Sequence, residues 1–225
     1  MWKIEELRNL VEEIHGKDQK DLANIHINAV DWKIRAASYH SFTATSSLGI
    51  ATETLQETNQ PIRLVLTNGE DAQELRKQRH IHEANVLACA QTVYSISDVV
   101  AHVIKDCLVL SEPGEWDVNL KYVQKYIPSG KLTDTVVALI GNRKYEYLRD
   151  FVNTIKHRNL VQTVSNIDLK NNPLEYEIKF QEFEYKDRIH DEKMSGVFLE
   201  ELKDISLQFL KIGSSLNEHL KAEKI

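Results

Sequence analysis

This chain has few places to turn. Its 225 residues include only 8 glycines and 4 prolines, the two residues that most strongly interrupt regular structure. Such a chain lacks the breakers that an all-β barrel or a disordered protein needs, and it is expected to run in long helices. Hydrophobic residues make up 42% and charged residues 28%, the mix of an ordinary globular protein. The length suits one large domain, or one domain with an appendage. A chain of this size buries roughly 70% of its unfolded surface and needs no disulfide or metal staple. Cys89 and Cys107 sit in apolar strings without ligand-like spacing, the pattern of structural thiols in a reducing compartment, so a cytoplasmic protein is expected. The start, Met1-Trp-Lys-Ile-Glu-Glu-Leu-Arg8, carries acids and no apolar core, unlike a signal peptide. No apolar run approaches the 18 residues of a membrane span, so no membrane partner is expected. The formal net charge of −6 argues against bulk DNA binding but leaves room for a local basic patch.

Apolar spacing predicts helices along most of the chain. The first covers about 1–15, before Gly16. The second runs from about Asp21 into the forties through Ile25, Ala29, Trp32, Ala36 and Tyr39, and the Thr- and Ser-rich residues 41–59 extend it with poorer helix formers. Pro61–Thr67, before Asn68-Gly69, reads as an extended segment or linker. From Glu70 to about Val109 the stripe through Val86, Ala90, Val93, Val100 and Ile104 is wide enough for a central helix packed on two sides. Shorter helices follow over 117–126 and Leu132–Ile140. A well-formed helix covers about Arg143–Leu160, and the last covers Ser195–Ala222 with Val197, Leu199, Leu202, Ile205 and Phe209 inward. Between these two, Leu174, Tyr176, Ile178 and Phe180 alternate with Glu175, Glu177 and Lys179, the period of a half-buried strand. Phe183 and Tyr185 continue it out of phase, as past a bulge. The expected fold is mainly α: an antiparallel helical bundle with one small inserted β-hairpin. Residues 1–70 read as an N-terminal helical extension and 71–225 as the bundle.

One helix carries candidate chemistry. In Arg143–Leu160, Leu148, Phe151, Val152 and Ile155 take the apolar face. Arg149, Asn153 and His157 are spaced i, i+4, i+8 and line up beside it. Five Lys or Arg (Arg143, Lys144, Arg149, Lys156, Arg158) against Glu146 and Asp150 make this segment net +3 inside a −6 protein. A histidine exchanges protons near neutrality, an adjacent cation favours its neutral form and holds phosphate, and an Asn orients an imidazole or a substrate. That set suits metal-independent RNA cleavage, in which cations stabilise the charged phosphorus centre. It also fits a polar helix face whose Asn and His satisfy neighbouring groups.

The run Asp150-Phe-Val-Asn-Thr-Ile-Lys-His-Arg158, after a long helix bearing Ser95-Ile-Ser-Asp-Val-Val100, resembles the HEPN superfamily (higher eukaryotes and prokaryotes nucleotide-binding). The Phe180…Tyr185 stretch and the Ile212-Gly-Ser-Ser-Leu-Asn-Glu-His-Leu220 terminus resemble one bacterial branch of it. The resemblance covers roughly residues 75–222 and leaves 1–70 unmatched. It implies a four- or five-helix bundle, often a homodimer, and in many members a ribonuclease of toxin–antitoxin or antiviral systems. It maps the family's polar residue onto Asn153 and its histidine onto His157. The family's Arg position, directly before Asn153, is Val152 here. The resemblance thus implies two functions. One is a metal-independent endoribonuclease with His157, Asn153 and Arg149 as catalytic residues and Lys156, Arg158 and Arg143 holding phosphate or RNA. The other is a non-catalytic module that binds RNA, a nucleotide or a protein. The expected partners are a second copy of the chain, RNA, and a cognate toxin or antitoxin protein; no cofactor or metal is expected.

Three further features bear on the site and its assembly. Tyr94, Asp98 and His102 form an i, i+4, i+8 stripe on the central helix, either a second wall facing His157 or a buried polar network. His80 and His82 point about 200° apart on a helix and cannot share an ion, so they read as a solvated helix start. The motive for a dimer through the helices 143–160 and 79–108 is the over-wide stripe at 86–104, which one bundle leaves uncovered.

Overall fold

The structure, a computed structural model, describes residues 2–57, 69–110, 118–168 and 175–224. Among the described residues the protein is 77% helical, with seven helices. Helix α1 (Ile4–His15) ends at Gly16, whose φ of 88° is a left-handed conformation that glycine adopts without a Cβ clash. Helix α2 (Lys17–Glu57) starts at the next residue and spans 41 residues, further than propensity alone predicts. The hydroxyls of Thr43, Thr45, Ser47, Thr52 and Thr54 each donate to the carbonyl four residues back. This satisfies the side chains within the helix instead of against it. The face of α2 is the reverse of the expected one. Ala23, Ile27, Val30, Ala37 and Ala44 are buried, while Ile25, Trp32 and Tyr39 are exposed. Alanines on the buried face let neighbouring side chains reach the α2 backbone, as the Cys89 thiol does at the Ala37 carbonyl, and the aromatic side chains are left outside.

Helix α3 (Glu70–Cys107) buries the stripe Val86, Ala90, Val93, Val100, Ala101 and Ile104 within one chain. The expected reason for a dimer contact there is therefore gone. Helix α3 also amends the membrane reading: an 18-residue window of mean hydropathy 1.3, half of it buried in the protein, makes it long and apolar enough to cross a membrane by length and composition. Helix α4 (Leu120–Tyr126) is capped by Asn119, whose side chain accepts from the backbone N–H of Lys121 and Tyr122. Helices α5 (Lys131–Ile140), α6 (Arg143–His157) and α7 (Ser195–Glu223) follow. On α7 the residue turned inward at the start is Phe198, fully buried; Val197, expected inside, is 54% exposed. The expected extended segment at Pro61–Thr67 lies outside the described residues.

The strand region is richer than one hairpin. Strands β1 (Thr163–Asp168) and β2 (Glu175–Phe180) pair antiparallel from Thr163↔Phe180 to Asp168↔Glu175. Strand β5 (Lys193–Met194) joins the other edge of β2. Tyr176, Ile178 and Phe180 are buried, as the period of two requires. Phe183 and Tyr185 do not continue β2 past a bulge. After Gln181-Glu182 they open a separate strand, β3 (Phe183–Tyr185), paired with β4 (Arg188–His190) in a hairpin with a two-residue turn.

Two compact units share these elements. The first comprises 1–35, 92–149 and 202–225; the second comprises 36–91 and 150–201. Helices α2, α3, α6 and α7 contribute to both. In the first unit Leu7, Val11, Ile27, Ile96, Ile104, Leu132, Leu139 and Phe209 are core residues. The indole of Trp2 donates to Asn217 Oδ1 at 3.1 Å and lies on Gly213, where a Cβ would stand 2.3 Å from the ring. In the second unit Ala51, Leu55, Ala72, Leu75, Tyr176 and Ile178 cluster. Phe151 there meets Phe180, Phe183 and Phe198 edge-on at centroid distances of 5.1, 5.8 and 4.9 Å.

Candidate functional site

Helix α6 sets the geometry of the candidate residues. Asn142 caps its start, accepting from the Lys144 N–H at 2.8 Å. Tyr145, Leu148, Phe151 and Val152 are buried, which turns Arg149 and Asn153 to the margin and leaves Lys156, His157 and Arg158 exposed at the end of the helix. Cations there complement the negative end of the helix dipole, a structural reason for the same residues. Arg143, exposed at the first turn, is about 20 Å from His157 at 1.5 Å per residue, so the two do not share a ligand phosphate. Arg149 leads His157 by about 12 Å, and both side chains lean toward the helix N-terminus, which preserves that gap. Arg149 also pairs with Glu146 at 3.3 Å. Val152 is fully buried, so an Arg at that position would face the core and not a ligand.

The end of α6 is instead joined to the β3–β4 hairpin. The Arg158 guanidinium lies 5.0 Å over the Tyr185 ring, and the Lys186 ammonium lies 5.5 Å from the same ring. The hairpin is also tied to α6 by a charge cluster around one buried carboxylate. Asp150, 0% exposed, accepts from Arg188 Nε and Nη2 at 2.7 and 3.0 Å and from His190 Nε2 at 2.9 Å. The His190 ring stacks on Phe183 at 4.8 Å. A buried carboxylate is tolerated when paired and hydrogen-bonded in this way. The cluster pins the hairpin to α6, and with it Tyr185 and Lys186 beside Arg158. Sequence reasoning missed it, because the partners lie 38 and 40 residues downstream. The available signal was Asp150 itself, a charge flanked by Leu148 and Phe151 on the apolar side of the helix.

The other expected wall has different partners. His102 stacks on His26 at 4.7 Å, and His26 Nδ1 contacts the buried Asp106 carboxylate at 2.7 Å. Burial, then the neighbouring His26, pushes His102 below the usual histidine range. Tyr94 faces Tyr145 with ring centroids 6.3 Å apart, and Asp98 is exposed. These residues belong to the first unit and Asn153 and His157 to the second. His82 is not at a solvated helix start. It is fully buried, with Nδ1 2.8 Å from the Ala44 carbonyl and Nε2 2.8 Å from Ser195 Oγ. The carbonyl only accepts, so Nδ1 carries the proton and Nε2 accepts from the serine. Both side chains are enclosed, so the pair closes the core and does not present a nucleophile. The Cys89 thiol, pushed up to about 12 by burial, and the Cys107 thiol, raised likewise, are inert at neutral pH.

A cleft of about 510 Å³ in the first unit runs between Asn142–Lys144 and the Asp204–Ser214 stretch of α7, with Lys144 and Asp204 paired across it at 2.6 Å. Among the described residues, no group of three or more His, Cys, Asp or Glu side chains is arranged to hold a metal ion. No protein-family model, curated protein or solved structure matches the chain.

Proposed function

We propose that the chain is an HEPN-like RNA-binding module whose contact surface is the end of α6 together with the β3–β4 hairpin. One observation carries this reading: two cations from different elements, Arg158 and Lys186, flank one aromatic ring at 5.0 and 5.5 Å, beside the exposed Lys156 and His157. Cations interleaved with an aromatic ring are the combination that holds a phosphate backbone and an unstacked base, and here they form a local patch on a chain of negative net charge. Binding is favoured over cleavage because the family's Arg position holds the buried Val152, and Arg149 stands about 12 Å along the helix from His157. RNA cleavage with Asn153 and His157 as the working pair is the second reading, favoured by the exposure of His157.

Fluorescence anisotropy with a labelled single-stranded RNA, titrated with salt in EDTA, tests the reading. The wild type should bind with log-log salt dependence of about −0.7 per phosphate contact, and Arg158→Ala or Lys186→Ala should each remove about one contact from the slope. Absence of binding at low salt, or variants indistinguishable from wild type, overturns it. Cleavage of the RNA in EDTA, lost by roughly 10²–10⁴-fold in His157→Ala, would replace it with the ribonuclease reading.

A further inference from the structure

The large apolar residues that α2 leaves outside are not scattered. Trp32 is 68% exposed, Tyr39 64%, Phe42 72% and Ile25 63%, an arrangement a solitary helix face has no reason to keep. Their spacing is that of a coiled-coil seam. Ile25, Trp32, Tyr39 and Ser46 repeat every seven residues, and Asn28, Arg35, Phe42 and Gly49 repeat every seven between them, giving alternating steps of three and four over more than three heptads. All eight are exposed.

We propose that this seam is the interface with a second copy of the chain, paired antiparallel along α2. The seam is self-complementary about a point near residue 37. An antiparallel two-fold there sets Trp32 against Phe42 and Arg35 against Tyr39 of the partner, an aromatic pair and a cation over a ring. The same register sets Ile25 on Gly49, where the space a Cβ would fill is open, and Asn28 on Ser46. Charge favours this direction. Residues 17–35 carry Lys17, Lys20, Lys33 and Arg35 against three aspartates, whereas residues 36–57 carry Glu53 and Glu57 and no Lys or Arg. Antiparallel pairing sets the net positive half on the net negative half, with Lys17 opposite Glu57. Parallel pairing sets like on like and Arg35 on Arg35. The outer pair, Asp21 opposite Glu53, is repulsive, and it sits at the solvated ends where screening is strongest.

The area is sufficient. At 150–250 Å² per aromatic side chain, the exposed parts of the three rings offer roughly 300–500 Å² per copy, so about 600–1,000 Å² across the pair. Ile25 and the polar seam members bring the contact to the roughly 1,200–2,000 Å² of a specific interface. The inference is independent of the RNA-binding reading, because it uses only α2.

Light scattering of the full chain at roughly 50 µM, above the micromolar limit of weak interfaces this size, should give twice the monomer mass. Trp32→Glu, at a position already in water, should keep its helical circular dichroism and weaken the dimer by roughly 30-fold or more, as an aromatic hot spot does. Register is read separately. The double variant Ile25→Cys/Gly49→Cys should form a covalent dimer on oxidation or with a short thiol-reactive linker, while each single variant should not; the native cysteines are buried. A wild-type monomer at that concentration overturns the proposal. So does a Trp32→Glu dimer of unchanged affinity, or self-linking of Gly49→Cys alone, which would mean parallel pairing.

Discussion

Two histidines and one aspartate show how burial decides a residue's role. His82 has one acceptor, the Ala44 carbonyl, and one donor, Ser195, and its burial pushes it below its ordinary 6.5; His102 shifts the same way. In the unfolded chain both titrate near 6.5, so below that pH the unfolded state binds more protons than the folded one. Stability is thus fully present above about pH 6.5 and is lost as the pH falls toward the lowered folded-state values. Urea midpoints should be level between pH 8 and 7 and decline below about 6.5. His82→Gln should start less stable and decline less steeply, and equal slopes for the two proteins would contradict the assignment. Asp150 is a larger stake. Removing one partner of a buried pair costs about 3–5 kcal/mol, and the partial exposure of Arg188 places Asp150→Ala at the lower end. For a chain this long that is a fall of roughly 6–12 °C in Tm, measurable by calorimetry.

At the scale of the element, the β3–β4 hairpin breaks a local rule. Its two-residue turn holds Lys186 at a φ of 55°, where glycine would serve and an L side chain costs roughly 1–2 kcal/mol. Lys186 lies 5.5 Å from the centre of the Tyr185 ring, the cation contact on which the RNA-binding reading depends. Local misfits that persist tend to mark function. Lys186→Gly should therefore raise Tm by a few degrees, since about 1 kcal/mol is 2–4 °C at this length, and at the same time weaken RNA binding. A variant that gains stability with unchanged salt-dependent binding would detach the lysine from the proposed contact. The apolar face and the cationic end of helix α6 follow from spacing, whereas the docking of the hairpin on that end follows from Asp150.

For the whole molecule, chain start and chain end meet within the first unit. Trp2 is buried against Gly213 of α7, and Asn217 holds both the indole and the Lys3 carbonyl, at 3.1 and 2.8 Å. A Cβ at residue 213 would stand 2.3 Å from the ring, so Gly213→Ala must displace Trp2. The cost of overpacking is about 1–3 kcal/mol. In a Trp2→Ala background the same substitution should cost little, because its clash partner is gone; a double-mutant cycle by thermal denaturation measures the difference. Equal costs in both backgrounds would mean that Gly213 matters for another reason.

The scarcity of glycine and proline and the 3.6-residue periodicity determined, from the sequence by itself, a mainly helical chain, the approximate positions of the seven helices among the described residues and the alternation of β2. The polar stripe and cationic end of α6 were legible for the same reason: side chains on one helix are fixed relative to each other by the helix. Only the tertiary structure decided which periodic face of α2 is inside. Both faces repeat helically, and hydrophobicity points to Trp32 and Tyr39, but packing encloses Ala23, Ile27, Val30, Ala37 and Ala44. Only the fold also joined Asp150 to Arg188 and His190, enclosed His82 against Ser195, and brought His26 onto His102 and the Asp106 carboxylate. Each of these rests on contacts between residues far apart in the chain, and no local spacing encodes which distant side chain will arrive.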